Sequence, residues 1–306
     1  MTAAVYLPLV LSAAFGLAAP ALARRLPPNV ATWLLSLGAL LAAAGSSAAL
    51  ALLAFRLIAR APVLAARGRW SEAALRQHDP VATPVGVLAA AAVLLLAARF
   101  LLAAKRRVAA VGYAYRLAAS LPDTGSDLTV IDTAESQAFA VPGRPGRIVV
   151  SSGLLHSLDP SQRRALLAHE RAHLNHRHHV HHTLVRLAVA VNPLLARLRS
   201  AIELTCERWA DEDAATVCRR DTVADALTCA ATSTRRGAPA GALGAAISDI
   251  VDRVDALHAP TPRLVLWRVA LLIGLLAATA AAVAEAMHDT EQLFELAQSA
   301  YRAGQR

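Results

Sequence analysis

The stretch His169-Glu170-Arg171-Ala172-His173 places two histidines and a glutamate in the spacing of a helix. On a helix, His169 and His173 lie about 40° apart on one face, where two imidazoles can bind one metal ion. Glu170 is turned about 100° from His169 and can take a proton from an attacking water and return it to a leaving amine. The stretch therefore predicts a helical zinc site with an adjacent general base.

Two histidines need a third protein ligand. Glu207 is the preferred candidate, because Asp211 follows one helical turn later on the same face and could hold a ligating imidazole in its correct tautomer. Glu203 has the same spacing to Glu207 and is the alternative. The expected cofactor is one Zn²⁺ per chain.

An isolated HExxH pattern has low specificity, so its surroundings matter. Short strands are predicted at 128–131, 138–141 and 147–150, the last two antiparallel. The run Ala138-Phe139-Ala140-Val141 is expected to be an edge strand on which a protein substrate adds as an extra strand. A helix over about 160–177, capped by Asp159 or Ser161, should carry the two histidines.

The chain has 306 residues, of which 56% are hydrophobic and 17% charged, which is too apolar for an ordinary soluble domain. Blocks over 1–23, 30–55, 81–98 and 265–284 carry no charge except Arg268, and each is long enough, or nearly so, to cross a bilayer. A cleaved signal peptide is the alternative for the first block, but a basic n-region is lacking.

Clusters of basic residues at 24–25, 105–107 and 263–268 flank these blocks and are expected in the cytoplasm. Both termini are then extracytoplasmic, and the metal centre faces the cytoplasm from the plasma membrane. Five arginines in the 56–82 loop argue against this orientation. The three cysteines, all in the predicted cytoplasmic part, suit a reducing compartment.

Downstream of the motif, five histidines cluster at positions 176, 178, 179, 181 and 182. His178 and His182 repeat the four-residue spacing of a second metal site, and one of the five could stabilise an oxyanion. The favoured interpretation is a basic helix end close to lipid headgroups. The apolar residues 187–195 are too short to span a bilayer, so they should lie on the membrane surface or inside the domain.

Three motifs together resemble the BlaR/MecR-type membrane peptidases: residues 169–173, Asn192-Pro193-Leu194, and Glu207-Arg208-Trp209-Ala210-Asp211. Residues 138–141 and 147–155 are similar to the related HtpX and CAAX-prenyl-protease group. The resemblance implies a gluzincin-type zinc domain with His169, His173 and Glu207 as ligands, Glu170 as catalytic base and Asp211 as support.

The expected fold is a membrane α-helical bundle of four transmembrane helices with an inserted cytoplasmic α+β gluzincin-type domain. Its predicted parts are three helices over 1–104, the zinc domain over 105–262, a fourth helix over 263–286 and an extracytoplasmic tail over 287–306. The large penicillin-binding domain that follows the last span in full sensor-transducers is not found here, so direct β-lactam sensing is not expected.

The resemblance implies an endopeptidase that cleaves a cytoplasmic transcriptional repressor. Housekeeping proteolysis of membrane proteins and a non-catalytic histidine-rich metal-binding protein are the alternatives. The expected partners are the protein substrate and membrane lipid, with homo-oligomers left open. The net charge of +9 is scattered over membrane flanks, so no direct binding of nucleic acid is predicted.

Overall fold

The structure is a computed structural model that describes residues 3–122, 125–235 and 243–305. Four helices in it are long and apolar enough to cross a membrane, by length and composition. They are α1 (Leu7–Ala23, after a short 3₁₀ turn), α2 (Pro28–Ile58), α5 (Thr83–Ser120) and α12 (Leu266–Ala303). The prediction of four long apolar helices is confirmed.

Two of these helices extend well beyond the predicted spans. α5 and α12 have 38 residues each, about 57 Å at the usual rise per residue. α5 continues past its basic run to Ser120, and α12 continues through most of the segment that the sequence analysis treated as a tail. The reason for the second extension is packing, because α12 meets the segment between α2 and α5.

That segment contains two short helices, α3 (Pro62–Gly68) and α4 (Glu72–His78), which the sequence analysis did not predict. The backbone N–H of Ser71 donates to the carbonyl of Ala297 at 2.9 Å. The indole of Trp70 donates to the carbonyl of Ala59, also at 2.9 Å. These bonds fix the segment against the ends of α2 and α12.

A three-stranded sheet follows α5, with β1 (Leu128–Ile131), β2 (Ala138–Val141) and β3 (Arg147–Ser151) in the order β1-β3-β2. β2 and β3 pair antiparallel, as predicted, whereas β1 pairs parallel to β3. Every residue of β3 is buried, as befits a central strand. β2 lies at an edge of the sheet.

The remaining helices are α6 (Ser152–Ser157), α7 (Pro160–Asn175), α8 (His178–Val191), α9 (Leu198–Val217), α10 (Arg220–Arg235) and α11 (Leu243–His258). Asp159 caps α7, accepting hydrogen bonds from the backbone N–H groups of Ser161 and Gln162, and the Gln162 side chain completes a capping box. Pro160 occupies the first turn, where its missing N–H costs no hydrogen bond. The predicted start of the motif helix is confirmed.

α8 and α9 pack directly on α1 and α2. One buried cluster joins Phe15 and Leu35 of the first two helices to Val185, Leu195 and Ile202. The apolar residues 187–195 are thus part of a core that α8 and α9 share with α1 and α2. Burying apolar surface on both sides makes α1 and α2 a support for the helices that form the site.

A buried polar contact fixes the junction between α8 and α9. Asn192 donates from its side-chain amide to Ser12 Oγ at 3.1 Å and Ser46 Oγ at 2.9 Å. Its own carboxamide oxygen accepts from the backbone N–H of Leu194, beside Pro193, which ends α8 as predicted. The chain therefore turns from α8 to α9 at a position set by the first two helices.

Candidate metal centre

Three side chains from two helices meet at one point. His169 and His173 lie one turn apart on α7, and Glu207 reaches them from α9. The two Nε2 atoms are 3.1 Å apart, and each lies 3.5 Å from one carboxylate oxygen of Glu207. The structure thus brings together the three residues predicted as ligands.

These separations fit a single zinc ion. Ligand bonds of about 2.0–2.2 Å in a tetrahedron place neighbouring ligand atoms about 3.3–3.6 Å apart. The two imidazole nitrogens are 3.1 Å apart, and His169 and His173 approach different oxygens of Glu207, Oε2 and Oε1, each at 3.5 Å. One ligand atom from each of the three residues lies within 4.8 Å of the others. Two imidazole nitrogens and a carboxylate oxygen are also the donor set that zinc accepts when one position stays open for a reactant.

Asp211 and Arg253 lie beside this group. Asp211 Oδ1 lies 3.0 Å from His169 Nδ1, which leaves the Nε2 of that ring facing Glu207. Arg253, on α11, contacts both oxygens of Asp211 at 2.7 Å and Glu207 Oε2 at 2.9 Å. One guanidinium thus contacts the carboxylates of both Glu207 and Asp211.

The buried charges act strongly on one another. Burial alone would raise the pKa of Glu207, but its hydrogen bond to His169 and the charge of Arg253 hold that pKa well below its usual value. Burial would lower the pKa of His169, yet hydrogen bonds to Asp211 and Glu207 raise it to about 10. Burial lowers the pKa of His173 to about 4. Glu207 is therefore ionised and His173 is neutral, as ligands must be, whereas His169 must lose a proton when a metal binds.

Glu170 lies beside the trio and faces β2. It is only 8% exposed, and burial raises the pKa of its carboxyl group above the usual value. The backbone of Ala140 donates a hydrogen bond to it. A glutamate with a raised pKa is suited to hold and release a proton near neutral pH.

Residues 102–247 match the family model described as Peptidase family M48. Over this stretch the chain is similar to the M48 peptidases. No curated protein and no solved structure matches the chain. The match includes the whole trio and Asp211, and it supports a metallopeptidase. It does not extend to the narrower BlaR/MecR group, which stays a prediction.

Glu203 does not belong to this group of three side chains. That side chain lies one turn before Glu207 on α9 but pairs with Arg186 at 3.2 Å on an exposed surface. Among the described residues, His169, His173 and Glu207 are the one group of three metal-binding side chains whose ligand atoms lie within 4.8 Å of one another. The geometry thus separates the two carboxylates that the sequence left as alternatives.

The five histidines downstream of the motif contact several different partners. His178 Nδ1 lies 2.8 Å from His173 Nδ1, and His176 Nε2 lies 2.6 Å from Asp213 Oδ2. His181 Nδ1 lies 2.8 Å from Ser36 Oγ on α2. His178 and His181 are 1% and 2% exposed, so the interpretation as a helix end facing headgroups is wrong for these two.

Two adjoining cavities form a cleft beside these three side chains. An apolar pocket of about 200 Å³ extends from Glu170 and Arg253 to Leu154, Leu166 and Val223. A more open pocket of about 360 Å³ lies between β2 and the helices, bordered by His173, His178 and His182. The edge strand therefore runs along the cleft, beside Glu170.

Arg253 is the site residue that the sequence analysis missed. It lies 42 positions after Asp211, outside the matched family region and outside any motif. One signal was available: a single arginine one turn from Leu257 on an amphipathic helix needs a buried anion if that face packs inward. The identity of that anion could not be read from spacing.

Proposed function

We propose that this protein is a membrane-embedded, zinc-dependent endopeptidase whose centre is His169, His173 and Glu207. The observation that carries the proposal is that one nitrogen of each histidine and one oxygen of Glu207 lie within 4.8 Å of one another, close enough to bind one ion. Zinc held there would polarise the substrate carbonyl and increase the acidity of water near neutral pH. The residues of the chain supply the remaining chemistry.

Glu170 acts as the general base. Its carboxylate accepts a proton from the attacking water and passes it to the nitrogen of the cleaved peptide bond. Its hydrogen bond from Ala140 aligns it with the edge strand. Asp211 orients the ring of His169 through its Nδ1, and Arg253 keeps the carboxylates of Glu207 and Asp211 in place.

The residues 138–141 bind the substrate as an added strand. β2 lies at the sheet edge, and its backbone borders the same cavity as Glu170. An extended segment paired along this edge would present each peptide bond in turn to the site, with main-chain hydrogen bonds giving affinity. This favours an endopeptidase acting on extended or unfolded segments of protein.

The substrate we propose is a cytoplasmic transcriptional repressor, cleaved at the cytoplasmic face of the plasma membrane, with both termini of the chain extracytoplasmic. Support comes from the likeness of the three motifs to the BlaR/MecR-type peptidases and from the basic flanks of the long helices. Housekeeping proteolysis is the second candidate, favoured by the open cleft. One defined cut in a repressor, against many cuts in unfolded chains, separates the two.

The test of the peptidase proposal is Glu170→Gln in the full-length protein. Gln has the same shape but cannot accept the proton, so we expect peptide cleavage to fall by about 10³-fold or more while bound zinc stays near one per chain. Metal content and cleavage of an unfolded protein substrate are measured on the same preparation. Proteolysis at the wild-type rate would refute the proposal.

A further inference from the structure

A third cavity, of about 440 Å³, continues from the cleft beyond the end of β2. It shares Pro142, Leu174 and His179 with the pocket that borders the metal centre. We call it the arginine pocket, because Arg144, Arg171 and Arg177 line it. Three guanidinium groups beside a peptidase cleft indicate a preference for an anionic ligand.

Two of the three arginines have no counter-ion. Arg171 is held by Asp127 through two contacts, at 2.7 and 3.0 Å. Arg144 and Arg177 make no side-chain hydrogen bond or ion pair with any residue in the described ranges. The arginine pocket therefore has a surplus of two positive charges after Asp127 is counted.

The fourth basic side chain in the pocket does not add to this surplus. Burial, and then the charges of Arg177 and Arg107, lower the pKa of His179 below its usual value. His179 is therefore neutral near pH 7. The positive charge that a ligand meets comes from the arginines.

Arg177 occupies the junction between α7 and α8 with a left-handed backbone, at φ 51°. Glycine or asparagine adopts this conformation with less strain than a residue with a long side chain. An arginine here gives the tight turn no backbone advantage, and its guanidinium lines the arginine pocket. Arg144 reaches the same pocket from the turn that follows β2.

The position of the pocket relative to β2 links it to substrate binding. A strand advances about 3.3 Å per residue, so a substrate paired along β2 and cleaved beside Ala140 would reach Pro142 and the arginine pocket two to four residues from the cut. In the other direction it meets the apolar pocket near Leu154 and Leu166. The cleft is thus basic on one side of the cut and apolar on the other.

A lipid headgroup is the competing anion, since exposed Tyr115 and Val180 also border this cavity. The shared lining with the cleft favours the peptide. The basic run at 105–107, next to the apolar part of α5, is a more direct site for anionic lipid.

We propose that Arg144 and Arg177 form a subsite for an acidic side chain of the substrate, two to four residues from the cleaved bond. This inference rests on the proposed endopeptidase function and narrows its substrates to segments with aspartate or glutamate at that place. The direction in which the substrate runs along β2 decides whether the acidic residue precedes or follows the cut.

The test uses the full-length protein in detergent with sets of peptides that differ only by Asp, Asn or Lys, two to four residues on either side of one cleaved bond. We expect the acidic peptide of one set to be cleaved with about tenfold higher kcat/KM than its Asn partner. The preference should weaken at high salt, because the arginines are exposed.

Charge reversal makes the test specific. The double substitution Arg144→Glu with Arg177→Glu should lower kcat/KM for the acidic peptide at least tenfold more than for the Asn peptide. It should raise kcat/KM for the Lys peptide. Arg164→Glu is the control, because Arg164 is exposed on α7 and lines none of the three cavities. If the double reversal fails to fold, Arg144→Gln and Arg177→Gln singly should each reduce the preference.

Equal cleavage of acidic and neutral peptides, unchanged by these substitutions, would refute the subsite and leave the peptidase proposal standing. A change in binding to anionic vesicles with no change in peptide preference would also refute it. If no peptide is cleaved, binding of a labelled acidic peptide to Glu170→Gln is measured. Binding lost on charge reversal then supports the subsite although the peptidase proposal fails, and binding kept refutes both.

Discussion

The protein contains two buried groups of charged side chains, at opposite ends of α2. One surrounds the metal centre, where Glu170, Glu207 and Asp211 face one guanidinium, that of Arg253. The other lies where α2 meets the α3–α4 segment, where Arg56 and Arg60 share Asp79. Both are shielded from water, yet their balance of charge is opposite.

The difference indicates what each group is for. The three carboxylates face the positive charge of Arg253 and, without a metal, that of His169, whose pKa is about 10. A divalent cation that displaces the proton of His169 would balance the carboxylates. At the other end, Arg56 also donates to Thr290 Oγ1 at 2.7 Å, and Arg60 donates to the carbonyl of Val81 at 2.8 Å. The arginines of this second group thus donate to acceptors of the protein itself. These bonds join α2 to α12 and to the loop between α4 and α5. The first group suits a cation and the second joins helices.

The largest expected effect comes from Glu207→Gln. This change removes one ligand and one negative charge from the trio, so we expect zinc to be lost and cleavage to fall by about 10³-fold or more. Glu203→Gln is the matched control on the same helix, and because its ion pair with Arg186 is exposed it should change stability by less than about 1 kcal/mol. Zinc content and cleavage rate are measured for both. Equal metal loss in the two variants would mean that the site does not distinguish these carboxylates.

The second prediction concerns the other group. Asp79→Asn leaves Arg56 and Arg60, which are 3% and 10% exposed, without their shared carboxylate. Removing one partner of a buried pair costs about 3 kcal/mol. We expect a lower unfolding temperature in detergent, with zinc per folded chain unchanged. Loss of zinc at normal stability would contradict the separation of the two groups.

The part of the site predicted from sequence is the part encoded by helical spacing. Four-residue intervals placed His169, His173, Glu207 and Asp211 on the correct helix faces, because helix geometry converts spacing directly into direction. The short strands and the start of α7 were also predicted from local sequence. The strands were predicted from alternation, and the helix start from its capping residue.

The features that were missed are set by contacts between distant segments. Arg253 reaches the site from α11, and α8 and α9 pack on α1 and α2. The helical end of α12 forms against the α3–α4 segment. Neither propensity nor periodicity specifies a partner far along the chain, and in each case burial of a polar or apolar face against that partner decided the structure.

The smallest of these effects is expected for Asp211→Asn. This change tests whether the negative charge of Asp211 supports metal binding. Asn keeps the size of the side chain but removes the charge that Arg253 binds through two contacts and that holds His169 Nδ1. Arg253 would then interact with Glu207 alone. Its positive charge would compete with the metal for that carboxylate. We expect zinc affinity or cleavage to fall by about 10–100-fold, with the three ligands still present. The readouts are zinc affinity by competition with a chelator and kcat/KM on one peptide. An affinity equal to wild type would mean that Glu207, His169 and His173 hold the cation without support, so that the arginine serves only to join α11 to α9.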